Sequence, residues 1–144
     1  MHYFSVFVGN HWVLWLVLAL LVFALVVFES RGRVGGILQL APQDVVALIN
    51  RQKALVIDVR NAQAFCQGHI INAQNIELAN LDQAMKKIQK FKTIPVIVYD
   101  DTQSSRKAIK FAKALKNVGF QEVQCLKGAL AAWQKESLPL VKEG

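Results

Sequence analysis

The sequence predicts an α/β protein: a five-stranded parallel sheet with helices on both faces, preceded by one N-terminal transmembrane helix. Three observations predict it. Residues 1–28 contain no Asp, Glu, Lys or Arg, so all seventeen basic and all ten acidic residues lie from Glu29 onward. Beyond Gly36, short apolar runs alternate with amphipathic stretches in the order β-α-β-α-β-α-β-α-β-α, the pattern of parallel strands joined by crossover helices. Two of those runs, Ala54–Asp58 and Pro95–Tyr99, lack the polar alternation of a half-exposed strand, as expected of strands covered on both faces.

The N-terminal element comes first. Trp12 to Phe28 is an unbroken run of seventeen apolar residues. As a helix rising about 1.5 Å per residue it reaches roughly 25 Å, the short end of what a bilayer requires. Flanking Asn10, His11, Glu29 and Ser30 complete the span at headgroup level, and Trp12 and Trp15 suit the interface near one end. Residues 12–29 are therefore read as the transmembrane helix, anchored in the bilayer through residues 12–28. A buried core helix is one alternative, but the remaining chain is short for covering a helix that is apolar all round. A cleaved signal peptide is another, but Met1–Ser5 carries no Lys or Arg and no small-x-small site ends the run. Arg31 and Arg33 follow the span and no Lys or Arg precedes it, so residues 1–11 are expected outside and the C-terminal part in the cytoplasm. In a bacterium this means the inner membrane. Residues 30–36 form a glycine-containing linker, and 37–144 the globular domain.

Within that domain Ile37–Leu40 reads as a strand, and Pro42 opens a helix through Asn50. Ala54–Asp58 is the central apolar strand. Asn61–Cys66 is a short helix ended by Gly68, and Ala73–Ile76 a third strand. Leu81–Phe91 has apolar residues at 81, 84, 85, 88 and 91, a helical period. Pro95–Tyr99 is the strongest strand, Ser104–Val118 a long helix closed by Gly119, Glu122–Leu126 the fifth strand, and Ala129–Glu136 the last helix. In such sheets ligands bind beyond the carboxyl ends of the strands, so the loop after Tyr99 is where chemistry is expected.

Composition narrows the function classes. A hydrophobic share of 53% with 19% charged residues excludes a disordered or collagen-like chain. Two cysteines, Cys66 and Cys125, cannot build a disulfide scaffold, and no pair of Cys-x-x-Cys motifs offers a zinc site. Neither a metal nor a cofactor is expected. The net charge of +7 is concentrated on helical faces: Arg106, Lys107, Lys110, Lys113 and Lys116 on one, with Lys86, Lys87, Lys90 and Lys92 around the helix before it. Solvated helix faces account for such runs. Beside a membrane anchor, Arg106, Lys107, Lys110 and Lys113 can also meet anionic headgroups. No aromatic-interleaved RNA motif appears, so nucleic acid is not favoured.

Three stretches carry a resemblance. Val56-Ile57-Asp58-Val59-Arg60, Phe65-Cys66-Gln67-Gly68-His69-Ile70 and Ala73-Gln74-Asn75-Ile76 follow one another. An apolar strand then enters a loop that ends at Arg106, and Leu126-Lys127-Gly128-Ala129 precedes Trp133. Together they resemble the rhodanese family of sulfurtransferase domains, from about Ile37 to Val141. The third stretch departs from the family where Ala129 stands for a second glycine. By their chemistry, Asp58 and Arg60 tie neighbouring loops by a charge-assisted hydrogen bond. Gly68 permits a positive φ at a helix end, His69 packs or hydrogen-bonds, and Trp133 is core.

The resemblance implies a nucleophilic cysteine at the end of the fourth strand, in a cradle of backbone N–H groups at a helix N-terminus that stabilises a thiolate and its persulfide. The loop here reads Asp100-Asp101-Thr102-Gln103-Ser104-Ser105-Arg106. Asp100 occupies the expected position, or Asp101 if the register slips by one, and neither supplies sulfur. Asp100 is expected at the mouth of a shallow pocket, facing solvent. A catalytically degenerate domain that binds a protein partner at the membrane follows as the first reading. A sulfurtransferase using a non-standard thiol such as Cys66 is the second, since Cys125 is expected buried and inert. An aspartyl phosphoryl nucleophile at Asp100 would need metal ligands that the sequence does not supply.

Overall fold

The computed structural model describes residues 11–143. The expected outer segment, apart from His11, lies outside the described residues, as does Gly144. The chain divides into two compact units with a boundary between Arg33 and Val34.

The first unit is helix α1, Trp12–Arg31. It is long and apolar enough to cross a membrane, and none of its residues is buried. The helix runs two residues beyond the expected end at Glu29, and Ser30 Oγ donates to the Val27 carbonyl at 2.9 Å.

The segment read as a linker holds structure. Strand β1, Arg33–Val34, is followed by Gly35 and Gly36, both at positive φ (59° and 83°), and then by β2, Ile37–Leu40. A two-residue turn with both central residues left-handed matches the twist of a hairpin, and glycine adopts it without steric cost. Helix α2, Pro42–Gln52, starts at Pro42, whose fixed φ suits a first helical position. Strand β3, Leu55–Asp58, leads to α3, Ala62–Gln67, whose first turn is capped by Asn61 accepting from the Ala64 N–H at 2.8 Å. Strands β4, His69–Ile70, and β5, Gln74–Asn75, follow. Helix α4, Leu81–Ile88, lies between 3-10 turns at Leu78–Asn80 and Gln89–Phe91. Strand β6, Val96–Tyr99, precedes α5, Arg106–Asn117, then β7, Val123–Leu126, α6, Ala129–Lys135, and β8, Leu140–Val141.

The main sheet has six strands in the order β1-β2-β7-β6-β3-β5. From β2 to β5 every pairing is parallel, as alternation with helices requires. The expected count of five was short by β1, which has two residues and no periodicity to read. A separate antiparallel pair, β4 with β8, was also not legible, because two-residue strands carry no alternation. The expected continuous helix over 81–91 tightens at Ile88, where α4 passes into a 3-10 turn.

Side chains alternate across this sheet. Val96 and Val98 pack with Ile57, Phe111, Ala112 and Leu115 under α4 and α5, whereas Ile97 and Tyr99 pack with Val45, Leu126, Leu130 and Trp133 under α2 and α6. All four residues of β6 are buried, with β3 and β7 on either side. Each buried aliphatic side chain there contributes about 1.5–3 kcal/mol. The most tightly held strand therefore delivers the chain to the loop at residues 100–105, and α5 takes it away.

Candidate functional site

The loop is shaped by Asp100. It is the first residue after β6 and has no exposed surface, whereas Asp101 is exposed. Its Oδ1 accepts from the Thr102 N–H at 3.1 Å and its Oδ2 from the Ala108 N–H at 3.3 Å. Ala108 is the third residue of α5, one of the amides that a helix cannot satisfy by itself. The residue at the N-cap, Ser105, is left-handed (φ 48°) and makes no side-chain cap bond. Asp100 thus caps α5 from eight residues before Ala108, with its negative charge at the positive end of the helix. The Asp100 carbonyl accepts from Leu130 N–H at 3.2 Å and ties the same residue to α6.

This corrects the expectation of a solvent-facing Asp100. The side chain folds inward because two backbone donors await an acceptor there, and a buried unpaired N–H is costly. The carboxylate engages the Thr102 and Ala108 amides, so those two donors are satisfied within the chain. Neither thiol belongs to this loop. Cys125 lies in β7, buried, where desolvation, reinforced by the charge of Asp100, pushes its thiol up to about 12. Cys66 is exposed on α3, beside Gln63, Gln67, Lys142 and Glu143.

The residues of the first motif meet at the carboxyl end of β3. Arg60 Nε donates to both carboxylate oxygens of Asp58 at 3.0 Å, and its Nη2 to Oδ2 at 2.6 Å. The same Nη2 donates to the Gly68 carbonyl at 2.7 Å, joining this loop to the end of α3. Burial opposes the Arg60 charge, but the hydrogen bonds and negative charge of Asp58 outweigh it and raise the guanidinium pKa. Asn75 Nδ2 donates to the carbonyls of Asp58 and Arg60 at 3.2 and 2.8 Å, and Tyr99 Oη accepts from Ile70 N–H at 3.1 Å. The roles of Asn75 and Tyr99 are not legible locally; the available signals are the Ala73-Gln74-Asn75-Ile76 stretch for Asn75 and a hydroxyl at the end of the buried apolar run of β6 for Tyr99. Burial, with the nearby Asp58 charge, raises the Tyr99 hydroxyl well above its ordinary range.

Gly68 has positive φ, as expected, but at 159° it sits near the extended range rather than in the left-handed helical region. His69 is buried, stacked on Phe65 with ring centroids 3.7 Å apart, and its Nδ1 lies 2.9 Å from the Phe65 carbonyl oxygen. Its Nε2 faces Glu143 at 3.9 Å, so the ring closes the β4–β8 end of the domain rather than serving the loop. Trp133 is buried and donates from Nε1 to the Pro139 carbonyl at 3.1 Å. Gly128 has φ 76°, and a Cβ there would come within 2.8 Å of the Ala132 Cβ, so the position demands glycine. Ala129 keeps the left-handed turn (φ 57°) although it carries a methyl group.

The basic helix face divides. Arg106, Lys110 and Lys113 line a cavity of about 560 Å³ with Val34, Gln39, Gln103, Ser104 and Ile109; Lys107 does not line it. Among the described residues, no group of three or more His, Cys, Asp or Glu side chains is arranged to hold a metal ion.

Comparison with known proteins agrees with this architecture. A family model described as the rhodanese-like domain matches residues 41–136. The uncharacterised Escherichia coli K12 protein YibN is 31% identical over 137 residues, 94% of each chain. The uncharacterised protein BU052 of Buchnera aphidicola from Acyrthosiphon pisum is 37% identical over 98 residues, spanning 67% of this chain and 66% of the relative. The match to a second Buchnera protein spans 63% of that relative's length. Among solved structures, a thiosulfate sulfurtransferase from Pseudomonas aeruginosa superimposes with a TM-score of 0.64 at 28% identity, covering 72% of this chain and 20% of that one. The chain accordingly belongs to the rhodanese-like domain family and carries its sulfurtransferase-like α/β fold.

Proposed function

We propose that the protein is a single-pass membrane protein that presents its rhodanese-like domain in the cytoplasm and binds a protein partner at the membrane instead of transferring sulfur. The observation that carries this reading is Asp100, whose buried carboxylate holds the Thr102 and Ala108 amides where the family resemblance implies a cysteine. A carboxylate cannot carry sulfane sulfur, and the adjacent exposed Asp101 repels a thiosulfate dianion at short range. The arginines at 31 and 33 support a cytoplasmic domain, which in a bacterium places the span in the inner membrane. The former active-site loop, residues 100–106, and its basic margin are then surfaces for recognition.

A second reading keeps sulfur chemistry and uses Cys66, favoured by its exposure and by Lys142 in the same pocket. Thiocyanate formation from thiosulfate and cyanide by the full chain in detergent separates the two. Background turnover is expected. Robust turnover that disappears in Cys66→Ser would overturn the binding reading. Crosslinking in intact membranes, followed by identification of captured proteins, is expected to recover a membrane-associated partner.

A further inference from the structure

One basic cavity borders the 100–106 loop, taking Gln103, Ser104 and Arg106 from it, and extends along α5 to Lys113 and across to Val34 and Gln39. Arg106, Ile109, Lys110 and Lys113 stand at i, i+3, i+4 and i+7 on α5, a single stripe, and face Val34 and Gln39 across the cavity. The three cations are exposed, no acidic side chain lines the cavity, and none of the three belongs to an ion pair among the described residues. Lys113 reaches over the turn that precedes β2: its Nζ lies 3.0 Å from where a Cβ on Gly35 would stand, and Ile109 Cγ2 at 3.3 Å. The cavity therefore combines three converging positive charges with an apolar strip made by Val34 and Ile109.

We propose that this cavity seats the phosphate of an anionic phospholipid headgroup, with the apolar strip against the glycerol backbone. The proposal rests on the reading of α1 as a membrane span. Covalent connection supports it: Val34 follows Arg31, the last residue of α1, by three positions, and three extended residues reach at most ~11 Å. That reach is comparable to the screening length of about 8 Å at physiological salt, so the covalent tether is short enough for anionic headgroups to act on the cavity. The pairing of charge with an aliphatic strip fits a lipid better than RNA, whose single strands require aromatic side chains for base stacking, and the cavity has none.

The test uses the full chain, isotope-labelled, in nanodiscs containing a headgroup spin label. Broadening of the Gln39, Ser104 and Lys110 amide signals is compared between phosphatidylcholine discs and discs with about one third phosphatidylglycerol. Stronger broadening is expected with phosphatidylglycerol, reduced at least about threefold by Lys110→Glu/Lys113→Glu and by high salt, as removal of paired surface charges predicts. Lys86→Glu/Lys87→Glu, on α4, should leave it unchanged. Equal broadening in both discs, or no response to the α5 double variant, would overturn the proposal. So would equivalent shifts produced in phosphatidylcholine discs by millimolar inorganic phosphate or by a short RNA. Flotation with phosphatidylcholine vesicles in high salt reports the span separately. A chain that floats but ignores phosphatidylglycerol refutes this site alone, and a chain that fails to float refutes the span and the site together.

Discussion

Replacing Asp100 with alanine removes the acceptor on which the loop closes. The Ala108 N–H is then left without a partner inside the protein; leaving a buried donor unsatisfied costs about 1–3 kcal/mol. The Thr102 N–H, on an exposed residue, regains water, so its bond adds about 0.5–1 kcal/mol. Loss of a negative charge at the start of α5 adds a few tenths more, and relief from burying a carboxylate subtracts. The net expectation is a destabilisation of about 2–4 kcal/mol. With a urea slope of about 2 kcal/mol per molar, the middle of the usual range, the midpoint falls by about 1–2 M. The assay is urea unfolding of the full chain in detergent, followed by near-ultraviolet circular dichroism of the domain. Asp100→Asn, which keeps one acceptor oxygen, should fall between. A change below about 0.5 kcal/mol for the alanine variant would refute the capping role, and with it the proposal that Asp100 takes the place of the family's cysteine in its cradle.

Further outcomes follow from the same geometry. Gly128→Ala places a Cβ 2.8 Å from that of Ala132 at φ 76° and should cost at least about 2 kcal/mol by the same assay, beyond the ~1 kcal/mol of a relaxed left-handed alanine. Arg60→Lys loses the forked contact with Asp58 and the bond to the Gly68 carbonyl, and should destabilise by about 1.5–3 kcal/mol. Thiol labelling of the folded chain at pH 8 should modify Cys66 and spare Cys125. Because the Cys125 thiol rises from 9.0 to about 12 on folding, the unfolded chain ionises first as pH rises. Stability is thus unaffected below about pH 9 and then falls by about 1.4 kcal/mol per pH unit toward the folded value. Wild type minus Cys125→Ala isolates that slope, and parallel curves would refute it. Alkaline phosphatase fused after Gly144 should be inactive and a fluorescent protein bright; the reverse pair would place the domain outside.

Much of this architecture is legible in the residues because burial writes itself into composition. β3 and β6 are recognisable since a strand covered on both faces has no use for polar alternation, and α5 since its apolar residues recur at helical spacing above a cluster of lysines. The Asp58–Arg60 pair was legible as a tie between loops, but its partners were not: the Gly68 carbonyl and Asn75 are eight and fifteen residues from Arg60, and nothing local links them. The hairpin at β1 and the β4–β8 pair are not legible for the same reason, since a two-residue strand owes its existence to its neighbour.

The sequence by itself determined the class of fold, the apolar helix at its start and the absence of sulfur from residues 100–106, because each is a matter of which side chains are present and at what period. Tertiary structure alone decided where the Asp100 carboxylate goes. Whether an acid faces water or turns inward depends on free backbone donors near it, and one of those donors, the Ala108 N–H, is set by the first turn of a helix that starts six residues further along the chain.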